Sequence, residues 1–274
     1  MTSLPNQHNW STVAFRDVSK LYRDSRGAEY AAVEGISLDI TRGSFHCLLG
    51  PSGCGKTTLL NMIGGFESPS SGTVCFVSGD GSETKIAGPG ADRSVIFQDS
   101  TAALFPWLNV HENVAFGPKL RHASNADFEP RLRATLTLVG LDQHAHKFPY
   151  ELSGGMRQRL QIARALIMDP EMMLMDEPLA ALDAITKRAM QREMVRIWSE
   201  TGRTIVYVTH DIAEALLLAT RVTVMSGGPR AKIKADLPID LLRPRDPADP
   251  AFARYVGELE NLIDQNSGPI AMSA

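Results

Sequence analysis

Two glycine-rich segments about a hundred residues apart carry the residue types that hold phosphate: GPSGCGKTT at 50–58 and LSGGMRQR at 152–159. The first fits GxxxxGK[ST] from Gly50 to Thr57. In such a loop, successive backbone N–H groups point inward beside the positive end of a helix dipole. Gly53 and Gly55 admit backbone angles that a side chain forbids. Lys56 adds a point charge for the β- and γ-phosphates, and the Thr57 hydroxyl is a Mg²⁺ ligand. Pro51, Ser52, Cys54 and Thr58 complete the stretch of loop expected against the nucleotide. The flanks fit as well. SFHCLLG (44–50) reads as a short buried parallel strand, and TTLLNMIGG as a helix that packs through Leu59, Leu60 and Ile63.

A phosphate loop needs a carboxylate partner, and MMLMDEP (172–178) supplies two. The apolar run Met172–Met175 reads as a core strand that delivers Asp176 to the carboxyl edge of a sheet, where ligands of open α/β folds bind. Asp176 is the expected Mg²⁺ partner. Glu177, one residue on, is placed to polarise an attacking water. Ser153 reads as a helix N-cap, and Met156, Leu160, Ala163 and Ile167 share one face of the helix that follows. An ordinary capped helix explains that face. It does not explain Gly154 and Gly155 directly after the cap, where helix propensity is worst.

Taken in order, these motifs resemble the ATP-binding subunits of ABC transporters, over about residues 12 to 235. LSGGMRQR is similar to the ABC signature, which other P-loop ATPases lack. The resemblance implies that Ser153, Gly154 and Gly155 grip the γ-phosphate of ATP bound to a second copy of the chain in a head-to-tail dimer. It makes Gln98, ending the strand-like SVIFQ, the glutamine that senses Mg²⁺, the γ-phosphate and the permease. His210, after TIVYVT, becomes the switch histidine at the γ-phosphate, and Asp183 of AALD (180–183) the D-loop aspartate. Asp183 also fits a cap for AITKRAMQREMVRIW, whose Met190, Met194 and Ile197 fall in register. Asp211 with Glu214 fits a cap for the next helix, with no chemistry assigned. Tyr22 is the candidate for stacking on adenine, with Tyr30 close by in sequence. Two positions depart from the family pattern. Met156 stands where glutamine is usual and Ala180 where serine is common, and neither change touches the Mg²⁺ or water-activating groups.

The fold expected is α/β: a P-loop (RecA-like) core, an antiparallel β-subdomain and a helical signature subdomain. Residues 1–11 read as an N-terminal tail and 12–235 as the ATP-binding domain, with the helical part at about 99–160. Residues 236–274 read as a tail, LRPRDPADPAFARYVGELENLI, in which a proline-rich connection leads into a short helix. It is too short for the regulatory β-domain of sugar-importer ATPases. At 274 residues and 43% apolar, the chain can bury a large core. Its longest apolar pieces, such as Ala215–Ala219, fall far below the ~18 residues of a membrane span. MTSLPNQHNW has neither a basic nor an apolar leader region. Cys47, Cys54 and Cys75 have no metal spacing, and Cys54 within a phosphate loop fits a reducing cytoplasm. The net charge of −3 gives no basic footprint, so nucleic acid is not an expected partner.

LFPWLNVHENVAFG (104–117), the GMRQR form of the signature and the short tail resemble the nitrate/sulfonate/taurine importer branch. The implied partners are transmembrane permeases, contacted near Phe105 and Trp107, and indirectly an external substrate-binding protein. The implied location is peripheral, on the inner face of the cell membrane. Packing of both rings within the subdomain is the competing reading for Phe105 and Trp107. An ATPase of an exporter or lipid-extraction complex is the alternative function. A GTPase would need an NKxD segment, which is absent, and residues 99–152 leave no room for the long heptad insertion of chromosome-maintenance ATPases.

Overall fold

The computed structural model describes residues 10–23, 27–98, 103–121 and 124–264. In chain order the first half comprises β1 (Trp10–Arg23), β2 (Glu29–Thr41), β3 (Phe45–Leu49), α1 (Lys56–Gly64), β4 (Ser71–Ser78), β5 (Glu83–Lys85), β6 (Arg93–Ile96), α2 (Val110–Leu120) and α3 (Asn125–Leu138). The second half comprises α4 (Gly154–Leu166), β7 (Met172–Asp176), α5 (Ala184–Thr201), β8 (Thr204–Thr209), α6 (Ile212–Leu218), β9 (Arg221–Met225), β10 (Ile233–Pro238) and α7 (Pro250–Asp264). These elements form two compact units, residues 1–90 with 206–274, and residues 91–205. The chain passes from the second unit to the first within β8. No helix among the described residues is long and apolar enough to cross a membrane.

The first unit contains an antiparallel sheet in the order β2-β1-β4-β5. Alternation of buried Ile36, Leu38 and Ile40 with exposed neighbours in β2 gives this sheet one apolar face, while Val13, Ala14 and Phe15 of β1 are buried in succession. Strand β1 begins at Trp10, two residues ahead of the expected domain start. The reason is physical: the indole is 2% exposed, lies 5.3 Å from the Phe76 ring and is covered by the Arg42 guanidinium. The same unit holds β3, all five residues of which are buried, parallel to β9, with β10 antiparallel beyond it. Asp236, Leu237 and Pro238 belong to β10, so the strand runs past residue 235, where the tail was expected to begin. Asp236 is held there by Arg221 Nε at 2.6 Å. Helix α7 is longer than the short helix expected, and it buries Phe252 and Leu259.

In the second unit β6 and β7 run parallel, with Arg93 opposite Met172 and Ile96 opposite Met175. Helices α2, α3 and α4 lie between them in sequence, as the lack of strand character in 99–160 predicts. Asn113 ties the start of this helical part together: its side-chain amide donates to the carbonyls of Phe105, Leu108 and Asn109 and accepts from Phe105 N.

A buried polar chain crosses the first unit. His46, fully buried in β3, lies 2.7 Å from Thr223 Oγ1, and that hydroxyl donates to Asp236 Oδ1 at 2.8 Å. With the threonine proton spent on the carboxylate, the imidazole must donate from Nε2. Its Nδ1, buried and without a partner, is then bare, as in a neutral ring. Burial pulls the His46 pKa from 6.5 to about 4, against an opposing pull from Asp236 and with a small assisting push from Arg221. The sign follows from proton counting. Between these values the unfolded chain binds a proton that the folded chain refuses, so stability falls as pH drops from about 6.5 toward 4. The full gap is worth roughly 3 kcal/mol. Melting temperature measured across that range should therefore decline more steeply for the native chain than for His46→Gln. Parallel profiles would show that the histidine does not titrate on unfolding.

Candidate functional site

Strand β3 ends at Leu49, the loop turns through Gly50–Gly55, and α1 starts at Lys56, so the phosphate-loop motif has the strand–loop–helix context its chemistry requires. Gly53 and Gly55 hold φ of 77° and 87°. A Cβ on Gly55 would come within 2.4 Å of Val33 Cγ1, which leaves glycine as the residue that fits there. Lys56 is 5% exposed, and its ammonium donates to the carbonyls of Gly50 at 2.7 Å and Pro51 at 2.8 Å. The amine is thus held inside the turn of the loop. Cys54 Sγ lies 3.8 Å from that ammonium, and burial raises the thiol's pKa against the lysine's opposing charge.

The rest of the first unit supplies two further expected residues. Tyr22 reaches α1, with its hydroxyl 3.5 Å from Thr58 Oγ1, its ring 5.8 Å from Tyr30 and Lys20 over its face at 5.1 Å. Tyr22 therefore sits beside the phosphate loop, while Tyr30 is half exposed at 50%. His210 follows β8 and is exposed. Its neighbours are fixed. Thr209 donates to the buried Glu214 carboxylate at 2.6 Å and accepts from Asp211 N at 3.1 Å, while Asp211 caps Glu214 N at 3.0 Å. The Asp211 cap was legible in the sequence, but the bond from Thr209 to the Glu214 carboxylate was not.

In the second unit, Asp176 closes β7 as expected. Glu177 follows at φ 42°, a left-handed conformation unusual for a glutamate. Such a backbone costs about 1–3 kcal/mol and persists only where surrounding structure enforces it. Gln98 does not end its strand: β6 stops at Ile96, and Gln98 lies on an exposed bend two residues later. Ser153 caps α4 through Met156 N at 3.3 Å. The pair of glycines after the cap has a packing cause. A Cβ on Gly155 would meet Thr186 Cγ2 at 2.5 Å, and one on Gly154 would approach Leu182 at 3.3 Å. The start of α4 is thus pressed against the 182–186 segment, where Asp183 caps α5 by accepting from Ile185 N and Thr186 N at 3.1 and 3.0 Å. Hydrogen bonding from Thr186 and Ile185 holds the Asp183 carboxyl below the usual carboxylate range. Gly154, Gly155 and the segment that carries Asp183 are therefore brought together.

Two features lay outside the expected set. A Cβ on Gly228 would lie 2.9 Å from the Gly53 carbonyl, so the β9–β10 turn packs directly on the phosphate loop. The Gly-Gly-Pro at 227–229 was the available signal. The second unit also contains a cavity of about 480 Å³ lined by Phe97, Asn113, Phe116, Gln161, Arg164 and Met168 among others. Phe105 and Trp107 are placed unequally. The Phe105 ring stands 4.3 Å from Phe116 and beneath the Arg164 guanidinium at 4.5 Å, whereas Trp107 is 70% exposed.

A family model described as ABC transporter matches residues 33–180. The chain is 41% identical to the taurine import ATP-binding protein of Roseobacter denitrificans over 257 residues, 92% of this chain and 93% of that protein. It is 43% identical to the nitrate import ATP-binding protein of Synechococcus elongatus over 261 residues, 93% and 92% of the two chains. Among solved structures it is similar to cbiO1 of Clostridium perfringens, part of an ABC transporter complex, with TM-score 0.73, 26% identity and 92% and 95% coverage. It is also similar to the dimeric ATP-binding cassette MJ0796 bound to ADP and Pi, with TM-score 0.68, 28% identity and 84% and 100% coverage. With its motifs seated on the elements they require and its length matched almost throughout, the chain belongs to the ABC transporter family, as an ATP-binding subunit.

Proposed function

We propose that this chain is the ATP-hydrolysing motor of an importer for a small anion, working as a head-to-tail dimer beneath a pair of permeases at the inner face of the membrane. Relatives of nearly full length are named for taurine and nitrate import, and another for bicarbonate transport, which favours uptake over the exporter alternative. On this reading a substrate-binding protein delivers the solute from outside, and the catalytic domain spans about residues 12–235. The observation that carries the proposal is that one chain holds both a phosphate loop and a second, separately capped glycine pair pressed on the D-loop.

The roles follow from chemistry. Backbone N–H groups of Gly50–Thr58, with Lys56, hold the phosphates, and Tyr22 stacks on adenine. Thr57, Asp176 and Gln98 are oxygen donors, which suits Mg²⁺, a hard cation that needs only one or two carboxylates because phosphates and waters complete its shell. When bound, the ion neutralises charge developing on the β- and γ-oxygens. Glu177 orients water and takes its proton as the water oxygen attacks the γ-phosphorus and ADP departs. His210 contacts the γ-phosphate from its own chain, and Ser153, Gly154, Gly155 and Asp183 approach from the partner copy.

Glu177→Gln should retain ATP binding while hydrolysis falls by at least roughly 10²-fold, the contribution of a positioned base. Near-normal turnover in that variant would remove Glu177 from the role. Sharing of the site is tested by mixing. Lys56→Ala and Ser153→Arg homodimers each contain two dead sites, but the heterodimer regains one intact site and should occlude one ATP. If no mixture recovers occlusion, the sites are not shared.

The permease contact is assigned to the cavity lined by Phe97, Phe116 and Arg164, with Trp107 as an exposed anchor and Phe105 as its buttress. Aromatic anchors of this kind often carry about 2 kcal/mol or more of binding. Trp107→Ala should therefore leave the melting temperature and the basal ATPase of the free subunit unchanged while assembly with the permease is lost. A large drop in melting temperature with normal assembly would place the ring in the subdomain core instead.

A further inference from the structure

The segment LLRPRDP at 241–247 has no place in the ATPase chemistry, yet it sets two half-buried arginines against the rest of the first unit. Arg243 donates to the carbonyl of Leu217 at 3.0 Å and to that of Leu218. Arg245 donates to the carbonyls of Leu216 and, at 2.6 Å, Ala219, and reaches back to Leu241 at 3.1 Å and Ile239 at 3.0 Å. Leu216 to Ala219 are the final residues of α6 and its C-cap. Their carbonyls are the four that a helix cannot satisfy within itself. Two guanidiniums thus complete one helix end, where positive charge also meets the negative end of the helix dipole. Burial, and then the neighbouring Arg243, pull Arg245 down to about 10. Both groups keep their charge at neutral pH despite lying side by side.

Helix α6 is seven residues long, too short to persist without outside support. Its other end is bonded into the segment that carries His210. Asp211 caps Glu214 N, Glu214 accepts from Thr209, and Thr209 accepts from Asp211 N. The tail is itself anchored. Tyr255 Oη accepts from Asp240 N at 3.3 Å, Phe252 and Leu259 are buried, and Lys234 donates to the carbonyls of Leu262 and Ile263 at the end of α7. The chain therefore runs without interruption from an anchored tail, through a double-arginine clamp and a rigid short helix, to the residues on either side of His210.

We propose that Arg243 and Arg245 are positioning residues for the ATPase switch, a C-terminal clamp that fixes α6 and through it the placement of His210. This rests on His210 acting at the γ-phosphate. Phosphate binding by the loop at 50–58 has its own supports in Val33 and Gly228, so loosening the clamp should spare nucleotide affinity and reduce turnover.

The test uses the full-length subunit with Mg²⁺–ATP, measuring kcat, nucleotide Kd and melting temperature for Arg243→Gln/Arg245→Gln, for the Lys/Lys pair, and for each in a His210→Ala background. The Gln pair should lower kcat at least about ten-fold, well inside the roughly 10²-fold that a 1 Å misplacement can cost, with Kd changed less than about two-fold. The Lys pair, which keeps the charge and some donors, should recover part of the loss. With His210→Ala the clamp variants should have almost no further effect. Unchanged kcat in the folded Gln pair overturns the clamp, as does a fall in kcat matched by a rise in Kd, or full additivity with His210→Ala. Should the Gln pair not fold, Arg245→Lys alone is read by the same criteria. Normal turnover in His210→Ala by itself would instead refute the switch role on which the clamp depends.

Discussion

Everything in this protein depends on presenting bare backbone to phosphate. A loop can aim its N–H groups at an anion only if no side chain intervenes and the loop cannot relax into another turn. Both conditions are met by packing from outside the loop. Val33 of β2 excludes a Cβ at Gly55, and the β9–β10 turn packs so closely on the Gly53 carbonyl that a Cβ at Gly228 would collide with it. The two outside segments are joined to each other, since Ala231 N donates to the Ala32 carbonyl and Arg230 N to that of Ala31. The phosphate loop is therefore braced by parts of the chain nearly two hundred residues apart. Lys56 completes the arrangement from within by donating to two of the loop's own carbonyls.

The same economy governs the second glycine motif. Glycines after a helix cap weaken the helix by up to about 1 kcal/mol each relative to alanine. Here the cost is offset by contact: α4 comes so close to α5 that Thr186 occupies the space a side chain at Gly155 would need. The same two glycines that allow this packing also leave the first turn of α4 with little side-chain cover. The cap itself, Ser153 on Met156 N, leaves the remaining N–H groups of the first turn available.

How much of this the sequence could reveal depended on range. Strand β3 with its loop, strand β7 with Asp176, and the caps Ser153, Asp183 and Asp211 are local patterns, and each is seated where apolar runs and cap spacing place it. What was hidden involves partners distant in sequence. The start of β1 was missed because Trp10 is defined by Phe76 and Arg42, and the end of β10 because Asp236 is defined by Arg221. Gln98 was read as a strand end because SVIF is followed by no glycine or proline that would mark the bend. Phe105 and Trp107 looked alike in sequence. Arg164, some sixty residues away, separates them by covering one ring and not the other.

Glu177 shows why such sites cannot be optimised for stability. A glutamate at φ 42° would be replaced by glycine or asparagine if only the turn mattered. In the roles proposed for them, one for the metal and one for water, the carboxylates of the consecutive residues Asp176 and Glu177 must serve the same site, and the strain is tolerated for that. Extended backbone sends consecutive side chains to opposite faces of a sheet, so a strand that simply continued would turn the second acid away from the first. A left-handed residue directly after the strand breaks that alternation. The buried run Met172–Met175 supplies the rigidity against which the break is held, and the hydrogen bond from Ala180 N to the Glu177 carbonyl closes the turn. The apolar strand, dispensable to the chemistry as a set of side chains, is what makes the strained carboxylate possible.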